Sequence, residues 1–523
     1  MVLVVALHPL LRRLYDGLRQ AAPTAKTSNG SAGSLSSSIS VDARLRQRTS
    51  FDLYFALLFI AVLHGFSVLK ILVILYINFN IAMQLPKQAI PAATWLFNIG
   101  VLFANELAHG YRFAQIAETM LPFPMAIAWT KSLDLYGGLI PRWEILFNIT
   151  VLRLIAFNLD YYWSLDRDRT GSPVEVCIFP LKEELSFFLS STLSTIPNTP
   201  KKKQLDPSSL SERDRVAIPA ATSSFVSFRT YLAYILYSPL YLAGPIITFN
   251  DYISQSRYPS PSITTRRTVL YGIRFLLTLL CMELILHYIY VVAISQSSPD
   301  WSTYTPFQLS MLAFFNLHVI WLKLLLPWRF FRLWSLIDGI DPPENVVRCM
   351  SDNYSAFAFW RGWHRSFNRW IVRYIYVPLG GGAGGGVSKV RSIGNMLAVF
   401  TFVALWHDIN LRLLMWGWLI TLFVLPETLA TMAFPAKKWR DRPNAYRVIC
   451  GVGAVFNILM MMAANLVGFA VGLDGLRGLV QGIISSWQGL AFMLAACSAL
   501  FVGVQVMFEV RESELRKGIK MKC

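Results

Sequence analysis

Charge is scarce in this chain. Asp, Glu, Lys and Arg make up 15% of its 523 residues, against 54% that are hydrophobic, and the mean hydropathy is +0.46. A soluble core cannot hide so many apolar side chains, which excludes an ordinary water-soluble globule. Cysteine is scarcer still. The six cysteines (Cys177, Cys281, Cys349, Cys450, Cys497 and Cys523) show no CxxC or zinc-like spacing, so neither a disulfide framework nor a metal site is expected. No small-residue cleavage site follows the apolar start Val2 to Leu11, leaving the first true span as the targeting signal. There is no Gly-x-Ser-x-Gly nucleophile elbow. No internal repeat of the kind that marks many transporters is visible. The glycine run Gly380 to Gly386 lacks the Gly-Lys-Ser/Thr ending of a P-loop and is read as a turn or hinge.

What the chain does have is long apolar runs. Residues 52–77, 92–110, 143–163, 226–247, 267–294, 306–326, 393–411, 413–433, 447–472 and 487–509 each approach the roughly 20 residues that cross a bilayer. Segment 111–136, broken by Pro122 and Pro124, is a further helix or a re-entrant one. The expectation is an all-α, polytopic membrane protein with about ten or eleven transmembrane helices. Residues 1–50 are expected as a disordered or interfacial N-terminal segment, with disorder around Ser28 to Ser40. Residues 51–510 form the membrane domain, interrupted at 164–224 by a mobile polar loop, and 511–523 form a basic C-terminal tail. The net charge of +18 is spread over short segments such as Lys201 to Lys203, Lys437-Lys438-Trp439-Arg440 and Arg516-Lys517. These suit cytoplasmic loops on an anionic lipid surface rather than nucleic acid, since no basic folded domain stands apart.

Two histidines lie in greasy surroundings where an imidazole is costly and usually faces a cavity or a substrate. His364 lies in Phe359-Trp360-Arg361-Gly362-Trp363-His364-Arg365-Ser366-Phe367-Asn368-Arg369-Trp370, and His407 in Ala404-Leu405-Trp406-His407-Asp408. From Phe357 to Tyr374 the pattern is that of one helix. Arg361, Arg365, Arg369 and Arg373 recur every fourth residue as a stripe, and His364 and Asn368 form a second stripe beside it. On residue chemistry alone His407 reads equally as a proton acceptor or as a helix-end histidine bonded to a backbone carbonyl. His8 is read as part of the loose N-terminus, and His64, His109, His287 and His318 read as structural, with His318 the best outsider.

The two histidine blocks, with Asp352-Asn353-Tyr354-Ser355, Val372-Arg373-Tyr374-Ile375-Tyr376-Val377-Pro378-Leu379-Gly380-Gly381 and Arg142-Trp143-Glu144-Ile145-Leu146-Phe147, together resemble the membrane-bound O-acyltransferase family. Within it the chain is most similar to the fungal glycerol-uptake branch related to hedgehog acyltransferase. The resemblance covers about residue 50 to the C-terminus. It implies helices around an intramembrane tunnel, acyl-CoA as co-substrate with no bound cofactor, and placement in the endoplasmic reticulum or also the plasma membrane. His407 matches the family's near-invariant histidine, and His364 its second polar position, which is Asn, Asp or His in different branches. The implied reaction is acylation of a lipid hydroxyl, foremost that of a lyso-glycosylphosphatidylinositol (lyso-GPI) anchor. Alternatives are a glycerol or solute transporter with proton symport, and a protein acyltransferase of the hedgehog type. In this scheme His407 is the general base. His364 and Asn368 orient the acceptor or hold the oxyanion, Trp406 lines the site, and Arg361, Arg365, Arg369 and Arg373 bind CoA phosphates or anionic lipid.

Overall fold

A computed structural model describes residues 2–20, 33–120, 123–170, 210–297, 299–381, 389–407, 411–467 and 472–519. Every regular element among them is helical. Six helical stretches are long and apolar enough to cross a membrane: Val41–Gln84, Trp143–Asp166, Thr265–Tyr288, Pro306–Ile337, Pro443–Asn465 and Trp487–Arg516. Gly394–His407 and Gly417–Ala433 are shorter apolar helices. The protein is a multi-pass membrane protein.

The chain divides into two units, the first made of Met1–Pro180, Asn198–Gly272 and Trp328–Pro343, the second of Leu181–Pro197, Ile273–Pro327 and Glu344–Cys523. In the first unit the expected span 52–77 is not one helix. Its helix stops at His64 and resumes at Val68, because the strap 136–140 docks against the break. Phe66 N donates to Tyr136 O at 3.2 Å and Ile140 N to Leu63 O at 2.7 Å. Gly65, at φ +54°, admits the Tyr136 carbonyl into the space a Cβ would fill, a conformation glycine adopts without penalty. The expected span 226–247 is likewise three short helices, Thr222–Val226, Phe228–Ile235 and Ser238–Tyr241. Buried Arg153, on helix Trp143–Thr170, donates to the carbonyls of Ile235 and Leu240. Those helix ends are thereby satisfied inside protein, and irregular backbone survives at membrane depth only under such cover. Segment 111–136 is broken as its prolines require, into Phe113–Met120 and Pro124–Leu135.

The N-terminal segment is largely helical where it is described, over Val2–Gln20 and from Gly33 to His64; residues 21–32 lie outside the described residues. His8, read from sequence as part of a loose terminus, is only 1% exposed. It turns inward with Arg12, while Leu3, Leu10, Leu14 and Leu18 point outward. Of the polar loop 164–224, residues 171–209 lie outside the described residues. Beyond them the chain is docked, with Arg215 paired to buried Asp251 at 2.7 Å and Phe225 fully buried.

In the second unit, helices Lys389–His407 and Leu411–Ala433 pack side by side. Gly417 lies where a Cβ would meet the Phe400 carbonyl at 3.2 Å, and Trp418 donates to Thr401 at 3.2 Å. Ile420 and Val424 then join Ala356 and Ala464 in one apolar cluster. Helix Trp487–Arg516 packs on Pro443–Asn465 through Val504, Ala454 and Val455. Its final turns, expected from residue 511 as a tail, are helical to Arg516 and hold ion pairs from Arg348 to Glu514 and from Arg511 to Asp352.

Candidate active site

The helix expected from Phe357 to Tyr374 is interrupted. Ala356–Gly362 ends at Trp363, and a second helix, Arg365–Ile371, begins after His364 and runs on through a π-turn at Val372–Tyr376. His364 lies at the junction with φ +45° and ψ +54°, the left-handed region that L-residues with a Cβ rarely enter. Periodicity cannot reveal such a break, because the apolar pattern continues across it. The consequence for the arginine stripe is direct. Arg365 and Arg369 share the second helix and Arg373 lies in the π-turn that continues it, but Arg361 belongs to the other helix, with its guanidinium over the Phe357 ring at 4.5 Å. Arg373 lies 5.5 Å from the Tyr374 ring.

The first short helix is capped by its own Ser355 with support from Glu427, and the second from elsewhere in the unit. Ser355 accepts from Ala358 N at 3.0 Å and donates to Glu427, which also accepts from Phe357 N at 3.2 Å. Asn345 accepts from the second helix, through its carbonyl from Arg365 N at 2.9 Å and through Oδ1 from Ser366 N at 3.2 Å. Neither residue stands out in the sequence reading. Glu427 carried a signal, being an acid inside an apolar run. Asn345 carried none, since no helical or strand period connects it to His364.

His364 and His407 do meet around one indole. The His364 ring lies 6.4 Å from that of Trp406, and Trp406 lies 4.7 Å from His407, centroid to centroid. Trp406 is 6% exposed and is held by Phe367 at 4.3 Å. Phe367 in turn lies 6.3 Å from Trp370, which stacks on Phe402 at 5.6 Å. This aromatic wall joins the two histidine-bearing segments. His407 ends its helix and keeps accessible surface. Among the described residues the His407 imidazole has no hydrogen-bond partner. His364, outside the spanning helices, is pushed down to about 3 by burial and then by nearby His407, so its imidazole is neutral at physiological pH. Asn368 lies one turn on, its N–H donating to the His364 carbonyl at 3.0 Å. Gly380, at φ +91°, turns the chain after this segment; residues 382–388 and Asp408 lie outside the described residues.

His318 is engaged structurally, with Nδ1 2.7 Å from the Phe314 carbonyl and Nε2 2.6 Å from the Ser351 hydroxyl. In the first unit His8, Asp52 and Asp338 bring potential metal-ligating atoms within 4.8 Å of one another. Arg12 and Arg48 already pair with both carboxylates, so cations of the chain itself fill the place a metal would take.

The left-handed turn at residue 364 makes a prediction. Asn tolerates this region best after glycine, and β-branched residues tolerate it worst. His364→Val is therefore expected to lower stability by about 1–2 kcal/mol more than His364→Asn, read as the difference between their thermal unfolding midpoints in detergent. Equal midpoints would show that the turn is not strained.

A sequence model of the membrane-bound O-acyltransferase family matches residues 124–473, which includes both histidine blocks. The chain is 46% identical over 480 residues to the membrane-bound O-acyltransferase GUP1 of Candida tropicalis, covering 91% of this chain and 74% of that one. It is 44% identical over 475 residues to the protein of the same name from Saccharomyces cerevisiae, covering 90% and 77%. A more distant similarity, 28% over 214 residues, links it to the protein-cysteine N-palmitoyltransferase of Mus musculus, covering 40% and 42%. With more than half its length inside the family match and relatives this similar along nine-tenths of it, the chain belongs to the membrane-bound O-acyltransferase family.

Proposed function

We propose that this protein transfers a fatty acyl chain from acyl-CoA to a lipid hydroxyl, foremost that of a lyso-GPI anchor, and so acts in anchor remodelling in the endoplasmic reticulum. The observation that carries the site is the convergence of His364 and His407 on Trp406. His407 is the general base. It takes the acceptor's proton as the hydroxyl oxygen attacks the thioester carbonyl. The C–S bond then breaks as the tetrahedral intermediate collapses, and the CoA thiolate leaves with the proton returned from the imidazolium. No covalent acyl-enzyme is required. His364, neutral, offers a ring N–H to the acceptor or to the developing oxyanion, with Asn368 beside it. The basic residues Arg365, Arg369 and Arg373 serve the donor's phosphates, and Arg361 stands apart from them across the break.

The experiment is acyl transfer by the purified protein from labelled acyl-CoA to lyso-GPI and, separately, to a cysteine-bearing peptide and to glycerol. Label in the GPI lipid, absent from the peptide, supports the proposal. Label only in the peptide would place the protein with the protein acyltransferases. If nothing is labelled but reconstituted vesicles equilibrate glycerol, the acyltransferase reading is wrong.

A further inference from the structure

His364 occupies the N-cap position of helix Arg365–Ile371, yet its side chain makes no capping bond. A residue at that position normally spends its side chain on the orphan N–H groups of the first turn. The work is done instead from 19 residues upstream in sequence. Asn345 accepts from Arg365 N through its carbonyl and from Ser366 N through Oδ1, and it is 2% exposed. Ser366 is equally buried, so its N–H has no recourse to bulk water and depends on Asn345. We propose that Asn345 is the positioning residue for His364: by capping the helix in its place, it holds the left-handed turn that sets the ring against Trp406. The turn is disfavoured on its own. Without the Oδ1 bond the first turn can unwind or recruit the His364 side chain as its own cap, and either change withdraws the ring from the site.

This inference rests on the proposed role of His364, and its test separates the two. Asn345→Ala removes the side-chain acceptor Oδ1, whereas the isosteric Asn345→Asp keeps an oxygen at the same reach. In acyl transfer by purified full-length protein, N345A is expected to lose about 10- to 100-fold in kcat, with KM for acyl-CoA within about twofold, because misplacing a group that acts in the transition state lowers turnover rather than donor binding. N345D is expected to recover most of that loss. Wild-type turnover in N345A, a loss confined to KM, or N345D as slow as N345A would each overturn the proposal. Should N345A not fold, N345D alone decides, since turnover as low as that of His364→Ala would overturn it and turnover near wild type would support it. A second readout needs no activity. Diethyl pyrocarbonate modification of His364, followed by peptide mass spectrometry, is expected to change in rate in N345A and to return to the wild-type rate in N345D. If the wild-type protein transfers no acyl group but the modification rates follow this pattern, the acyltransferase reading fails and the positioning by Asn345 stands. Unchanged rates overturn it.

Discussion

His407→Ala is expected to lower kcat by about 10²- to 10⁴-fold, the usual contribution of a general base, while leaving the protein folded and KM for acyl-CoA nearly unchanged. The folded state should tolerate the change because the His407 imidazole bonds to no other described residue and keeps accessible surface. Among the described residues its loss strands no buried partner, which is the usual source of large costs. The pH profile adds a second check. With His364 pushed down to about 3, its charge does not change between pH 5 and 9, so the acid limb of kcat belongs to another group. On the proposed mechanism that group is His407, which must be unprotonated to act, and kcat therefore falls as pH drops. His364→Asn should lower turnover yet leave the midpoint of that limb in place. Wild-type turnover in His407→Ala, or an acid limb that vanishes with His364→Asn, would remove His407 from the role of base.

The membrane character of the chain and the two histidine blocks were legible because both are local. Apolar runs of bilayer length and an imidazole inside greasy sequence can be seen one window at a time. What was not legible depends on distant partners. The breaks at Gly65 and in 222–241 exist because the 136–140 strap and the Arg153 guanidinium satisfy the freed backbone groups. The same holds at the site. A helical period ran unbroken from Phe357 to Tyr374, and beside the local cap Ser355 the groups that support two separate helices there, Asn345 and Glu427, are far off in sequence. The break also gives a physical meaning to the residue types that the resemblance admits at position 364. Asn, Asp and His are the side chains other than glycine most often found left-handed. His8, dismissed as part of a loose terminus, was missed for a related reason: its partners Asp338, Phe55 and Trp334 are remote.

Asp338→Asn is expected to destabilise the protein by about 3–5 kcal/mol, the cost of removing one partner from a buried ionic group. The Asp338 carboxylate is buried and serves four groups. It accepts from Arg12 Nε at 2.5 Å, from Arg48 Nη2 at 2.7 Å and from the Tyr237 hydroxyl at 2.5 Å, and His8 Nδ1 lies 3.5 Å away. Asp52 completes the group, pairing with Arg12 and accepting from the Tyr252 hydroxyl at 2.7 Å. Two guanidiniums therefore face two carboxylates. Burial favours the neutral acid at Asp338, but Arg12 and Arg48 outweigh it and hold the carboxyl below its usual range, so it remains ionised at neutral pH. An amide of the same shape keeps the packing and removes one negative charge, leaving an uncompensated guanidinium out of reach of water. Because Arg12 comes from helix Val2–Gln20, the loss should first appear as release of that helix, seen as faster proteolysis within residues 2–20, together with a lower thermal midpoint in detergent. Arg48→Met combined with Asp338→Leu removes charge in balance and is expected to regain part of the loss. A midpoint for Asp338→Asn equal to that of the wild type would mean that solvent already reaches the group.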